Sequence, residues 1–155
     1  MKIWINNRQR KISINPTAIR KKVVKILNAL GYPEAEFGLT LINDPAMSRL
    51  NRATFQRFGP TNVIAFPLQG GPGAELQSQM LGDVVISLET TKRQAQQCDW
   101  TFEELFDLYL IHGILHLVGY DHEASEAEAD RMAAKTRELL SLIHPHLKEE
   151  ALCPN

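Results

Sequence analysis

Thr101-Phe-Glu-Glu-Leu-Phe-Asp-Leu-Tyr-Leu-Ile-His112-Gly-Ile-Leu-His116-Leu-Val-Gly119-Tyr-Asp-His122 is the stretch on which the fold turns. Thr101 and Glu104 stand at capping-box spacing, which marks a helix start. Leu105, Leu108, Ile111 and Leu115 then put apolar contacts on more than one side, so this helix is expected to be buried and central. His112 and His116 are four residues apart and lie one above the other on one helix face. Gly119 lets the helix stop and the chain turn back towards them with His122. Three imidazoles converging on a point make an open zinc site, with the fourth position left for water.

Outward from this helix, strand and helix signals alternate. Ile3 and Ile5 alternate with polar residues and Ile12 and Ile14 repeat the pattern, so the N-terminus reads as strand. Asn15-Pro16 opens a helix with an apolar stripe of Ile19, Val23, Ile26, Leu27 and Leu30, ended by Gly31. Phe37, Leu39 and Leu41 alternate as a second strand, and Asn43-Asp-Pro45 opens a short helix with Met47 and Leu50. Val63–Phe66 is a third strand and Asp83–Ser87 a fourth, apolar enough for a central place in a sheet. Leu88–Cys98 reads as helix. Ser125 and Glu128 begin another, carrying Met132, Thr136, Leu139, Leu140 and Ile143, with Pro145 past its end. The expectation is an α+β (mixed α/β) fold of about four strands and five helices in one domain over residues 1–155, with a C-terminal tail from about 145. Pro67-Leu-Gln-Gly-Gly-Pro-Gly-Ala reads as a loop, and His144 and His146 read as tail residues.

Composition narrows the class. The chain has 155 residues, 44% hydrophobic and 23% charged, as in an ordinary globular domain. No apolar run approaches the roughly 18 to 20 residues of a membrane span, and Met1-Lys-Ile-Trp-Ile-Asn-Asn turns polar too soon for a secretory signal. Cys98 and Cys153 suit neither a disulfide framework nor a zinc motif, so free thiols in a cytoplasmic setting are expected. A net charge of −1 argues against a generally basic nucleic-acid binder. Yet residues 1–33 hold eight bases and no acid, and Arg49, Arg52 and Arg57 follow. That asymmetry is compatible with one phosphate-facing side.

The spacing His-x-x-x-His-x-x-Gly-x-x-His is that of the metzincin metalloproteases, in which Glu follows the first histidine as general base. Here that position is Gly113, so the ligand spacing is kept and the peptidase base is gone. Zinc lowers the pKa of a bound water to about 7 and polarises phosphoryl as well as carbonyl oxygens, so a phosphodiester suits the site. Asp121 and Asp107 are candidates to orient the ligand rings from behind.

The motif His112-Gly-x-Leu-His-Leu-x-Gly-Tyr-Asp-His122 resembles the signature of the YbeY family of bacterial zinc-dependent endoribonucleases, or rRNA maturation factors. Leu50-Asn51 with Pro60-Thr-Asn-Val-Ile-Ala-Phe-Pro67, and Leu81-Gly-Asp83-Val-Val-Ile-Ser87, resemble two further family segments. Together they span roughly Leu39 to Arg137. The resemblance implies a mixed four-stranded sheet packed with helices around a central metal-bearing helix. It implies one zinc on His112, His116 and His122. It also implies cleavage of single-stranded RNA, 3′-end maturation of 16S ribosomal RNA, ribosome quality control and contact with ribosomal subunits. The chain departs from the pattern at Thr54-Phe55, where members carry Tyr-Arg with an arginine implicated in activity, and at Ala65 in place of Ser. Arg57 and Arg52 are the candidates to reach the space of that arginine. Two other functions are compatible with the three histidines: a zinc peptidase or amidase, which Gly113 disfavours, and a ribosome-assembly factor with a mainly structural zinc.

Overall fold

Asp83–Ser87 takes the inner position its apolar character suggests. The computed structural model describes residues 1–68 and 79–147, in the order β1 (Lys2–Asn7), α1 (Pro16–Ala29), β2 (Glu36–Ile42), α2 (Asp44–Phe55), β3 (Val63–Pro67), β4 (Met80–Ser87), α3 (Leu88–Cys98), α4 (Phe102–Leu117) and α5 (Glu126–Ile143). The sheet order is β1-β2-β4-β3, with β3 antiparallel to β4 and the other pairs parallel. The fold is the expected α+β arrangement of a four-stranded mixed sheet with five helices among the described residues. Most of the Pro67–Ala74 loop and Cys153 lie outside the described residues.

Successive strand residues leave the sheet on opposite faces. Phe37, Leu39, Leu41, Val84 and Ile86 join α1, α4 and α5 in the main core, while Ile42, Ile64 and Val85 join Met47 of α2 in a smaller one. Ten of the 16 residues of α4 are buried, so it is an inner helix with no broad solvent face. Gly113 sets its distance from the sheet. A Cβ there would lie 2.6 Å from Val84 Cγ1 and 3.3 Å from Val63 Cγ2, closer than packed carbons sit.

Local signals act largely as expected. Asn15, Asn43, Ser87, Thr101 and Ser125 each cap a helix through the side chain. Both legs of the Thr101–Glu104 box are made. At Ser125 the hydroxyl accepts from Glu128 N, while the Glu128 carboxylate turns to Arg131.

Three expectations change. The strand at the N-terminus stops at Asn7, opposite Leu41, because β2 itself ends one residue on at Ile42 and the Gln9 side chain intervenes. Its amide oxygen accepts from Ile12 N and its amide nitrogen donates to Ile12 O, curling residues 9–12 into a turn. Ile12 and Ile14 still pack on the core. Cys98 is disulfide-bonded and not the free thiol expected. His144 and His146 are not loose tail residues. His144 is buried with its Nε2 2.6 Å from Asp107 Oδ2, His146 meets Glu104 at 3.1 Å, and Leu147 packs on the core.

Candidate metal centre

The C-terminal end of α4 is shaped by a glycine. Gly119 has φ +100°, and its N–H donates to His116 O while the Tyr120 N–H donates to Leu115 O. This pair of bonds is a Schellman closure, which satisfies two end carbonyls and reverses the chain. Asp121 Oδ1 then accepts from Glu123 N at 2.9 Å, bracing the turn that carries His122. Asp121 therefore acts on the third histidine through its backbone.

The reversal brings the three imidazoles together. Ring centroids are 4.6 Å apart for His112–His116 and 5.3 Å for each pair involving His122. A tetrahedral ion with nitrogen donors at 2.0–2.1 Å holds them about 3.3 Å apart. The His112 and His116 Nε2 atoms are 3.1 Å apart, and one nitrogen from each of the three rings lies within 4.8 Å of the others. The donor set fits a first-row ion such as zinc with small ring adjustments.

Electrostatics agree with this role. Burial, with the neighbouring His116 and His122, pushes His112 down to about 4. His116 is also lowered, by burial and by His122, against an upward pull from Asp121, the Tyr120 main chain and Glu123. Metal ligation needs the neutral imidazole, and both rings are held in that form at neutral pH.

The rings open onto a cleft of about 500 Å³. Its far wall is the end of α2 and the following loop, with Asn51, Phe55, Arg57 and Phe58; its floor is β3. Arg57 thus lines the same cleft as the histidines, its guanidinium 5.8 Å from the centre of the Phe55 ring. Arg52 lies to one side, its guanidinium 5.0 Å from the centre of the Phe58 ring. None of the other basic residues of the N-terminal half lines this cleft: Lys2 pairs with Glu36, Lys11 with Glu89, and Lys22 with Glu103 and Asp107, while Arg8 and Arg49 line a separate one. The basic face suggested by composition therefore does not line this cleft. Asp107 is displaced too. It belongs to the opposite end of α4, with Lys22 and His144, and orients no ligand.

Two further groups bring ligand-type atoms together, Glu104 with His144 and His146, and Glu103 with Asp107 and His144. At the second, a cation is already present, with Lys22 Nζ 2.9 Å from Glu103 and from Asp107; at the first, His146 Nε2 already meets the Glu104 carboxylate at 3.1 Å. Sequence reasoning missed Phe55, Phe58 and Glu123 as cleft residues. The signal available was two phenylalanines in an otherwise polar, glycine-terminated segment.

A family model described as Endoribonuclease YbeY matches residues 4–144. The chain belongs to the YbeY family. Among curated YbeY proteins named Endoribonuclease YbeY, that of Geobacter metallireducens is 44% identical over 144 residues, covering 92% of this chain and 96% of the relative. That of Geobacter sulfurreducens is 42% identical with the same coverage. The solution structure of TM1509 from Thermotoga maritima shares the fold, with a TM-score of 0.67 and 24% identity over 92% of this chain and 89% of that one. The YbeY motif segments noted in the sequence thus converge in space: His112 and His116 on α4, His122 on the turn after it, Asn51 on α2 and Pro60–Pro67 all border one cleft. Leu81-Gly-Asp83 supplies the close crossing beside it. Gly82, at φ +129°, leaves 2.2 Å between a would-be Cβ and Phe66 O, so only glycine fits.

Proposed function

We propose that this chain is a zinc-dependent endoribonuclease that cleaves single-stranded RNA, acting in 3′-end maturation of 16S ribosomal RNA and in ribosome quality control in the cytoplasm. The observation that carries the reading is the convergence of His112, His116 and His122, the first two held neutral, on an open cleft that Arg57 also lines. Membership in the YbeY family supplies the substrate class. Among the described residues no helix is long and apolar enough to cross a membrane.

When bound, the ion supplies Lewis acidity that polarises a phosphoryl oxygen and acidifies water. The protein contributes the rest. Arg57 lines the same cleft with a permanent charge able to pair bidentately with a phosphate, and its guanidinium lies 5.8 Å from the ring of Phe55, the position at which the family carries arginine. Asn51 donates to Gly59 O at 3.0 Å and so anchors the loop that presents Arg57. A structural zinc site is closed by four protein ligands, whereas here three imidazoles open on a cleft, which favours catalysis over a purely structural ion. The peptidase reading loses ground as well. A glutamate at Gly113 would drive its Cβ into Val84 before it reached a ligand water.

The test is elemental analysis of the purified chain together with single-stranded RNA cleavage on the same sample. One zinc per chain and activity lost on chelation and restored by zinc are expected; full cleavage by verified metal-free protein would refute the reading. Arg57→Ala is expected to lower cleavage more than Arg52→Ala, and unchanged rates in both would remove the arginines from the mechanism.

A further inference from the structure

The mouth of the histidine cleft displays two aromatic rings that the core does not use. Phe58 is 84% exposed and Phe55 45%, and both line the cleft. Their exposure is built in. Phe55 closes α2, and Gln56 follows in the left-handed region at φ 54°, its N–H bonded to Arg52 O at 3.0 Å. Three residues on, Gly59 O accepts from the buried Asn51 amide. The loop is thus tied at both ends to α2 and holds Phe58 out into water.

Each ring also has a guanidinium beside it. Arg52 Cζ is 5.0 Å from the Phe58 centroid and Arg57 Cζ 5.8 Å from that of Phe55, both within cation–π range. Aromatic faces alternating with cations are the chemistry of single-strand binding, in which bases stack and phosphates pair with the charges. Paired bases keep their faces inside a helix and have none to offer, so such a surface selects unpaired strands.

We propose that Phe58 and Phe55 are a stacking platform for unpaired RNA bases at the entrance of the cleft, with Arg52 and Arg57 holding the intervening phosphates. This rests on the ribonuclease reading and says what that reading lacks: which residues choose a single strand. Stacking tolerates any base, so the platform confers strand selectivity with little sequence preference.

The experiment is fluorescence anisotropy of the zinc-loaded full chain with a 2′-O-methyl RNA of about ten nucleotides, beside an oligomer of equal length with abasic sites. Phe58→Ala is expected to weaken binding of the normal oligomer about tenfold, the order of one lost base stack. Phe58→Trp restores it. On the abasic oligomer the wild type and Phe58→Ala bind alike. The salt dependence of Phe58→Ala stays at the wild-type slope, whereas Arg57→Ala lowers it by about one. Equal affinity of Phe58→Ala and wild type for the normal oligomer, or the same loss on abasic RNA, overturns the platform. A dimer that Phe58→Ala dissociates without changing RNA affinity overturns it in favour of self-association. Failure of the zinc-loaded wild type to bind either oligomer refutes the ribonuclease reading itself, whereas normal cleavage with an indifferent Phe58→Ala refutes only the platform.

Discussion

At the N-terminal end of α4, Glu103, Glu104 and Asp107 meet Lys22, His144 and His146; at the C-terminal end, His112 and His116 meet His122. Both ends gather histidines within bonding distance of other potential ligands. The first is a network of opposite charges, with Lys22 2.9 Å from Asp107 and His144 2.6 Å from the same carboxylate. It welds α1 and the end of α5 to the central helix. The second brings like groups together, two of them neutral and none supplied with a lysine or a carboxylate at hydrogen-bond distance in the described structure. Donors that face each other, with no nearer counter-charge than Glu123 at 3.9 Å from His122, are arranged for a ligand from outside. Donors already matched are arranged for stability.

Buried charge leaves its mark on the first end. Burial pushes the Asp107 carboxyl up, against the pull of Lys22 and His144, and its Oδ1 has no hydrogen-bond partner among the described residues. Burial draws Lys22 down, but Glu103 and Asp107 outweigh it and the net shift is upward.

Substitutions at the two ends should therefore fail in different ways. The largest effect is expected for His116→Ala. RNA cleavage should fall by roughly a thousandfold, the several kcal/mol a Lewis-acid ion contributes, with metal stoichiometry falling in parallel. The metal-free melt should stay near that of metal-free wild type; collapse of the fold would instead make this end structural. Asp107→Ala should do the reverse, costing about 3 kcal/mol in denaturant unfolding because it leaves the buried His144 without its partner and Lys22 with Glu103 alone, while the folded protein still binds one zinc. An unchanged midpoint would erase the contrast between the ends.

Smaller effects sharpen the picture. Gly113→Ala, between the two ends, gains about 1 kcal/mol of helix propensity but loses about 2 to overpacking against Val84, for a net loss of about 1 kcal/mol. A stabilised variant would show that the sheet yields there. The smallest effect concerns pH. The Thr101 backbone N–H, opposed by burial and helped by the Thr101 hydroxyl and His146, holds Glu104 below the usual carboxylate range. Its contribution is therefore present above pH ~4.5 and is lost as the pH falls through the lowered folded value. Glu104→Gln keeps a capping-box side chain and should flatten the wild-type loss of stability in that acid window. Parallel acid curves would mean that the charge contributes nothing.

Much of the α4 story was legible because it is local. The Thr101 cap, the four-residue histidine spacing and Gly119 each act within one or two turns of chain, and the structure realises all three. The same holds for Asn15 and Asn43. The miss at Ile12 and Ile14 has the opposite character. Alternation was present, but a strand also needs a neighbour, and β2 ends at Ile42, short of any residue that could pair with Ile12 or Ile14. His144 looked like a tail residue because its partner, Asp107, is 37 positions away.

The sequence by itself determined most of the elements, their caps and the three candidate metal donors, since these rest on backbone geometry, on spacing along α4 and on the glycine that ends it. Only the tertiary structure decided which histidines stay clustered on an open cleft and which are paired with carboxylates, and that Arg57, not the N-terminal bases, lines that cleft. It also decided that Gly113 lies against Val84, where no carboxylate fits. Those outcomes depend on how α1, α2 and α5 dock on the central helix, and docking is set by the fit of distant side chains, which no periodicity records.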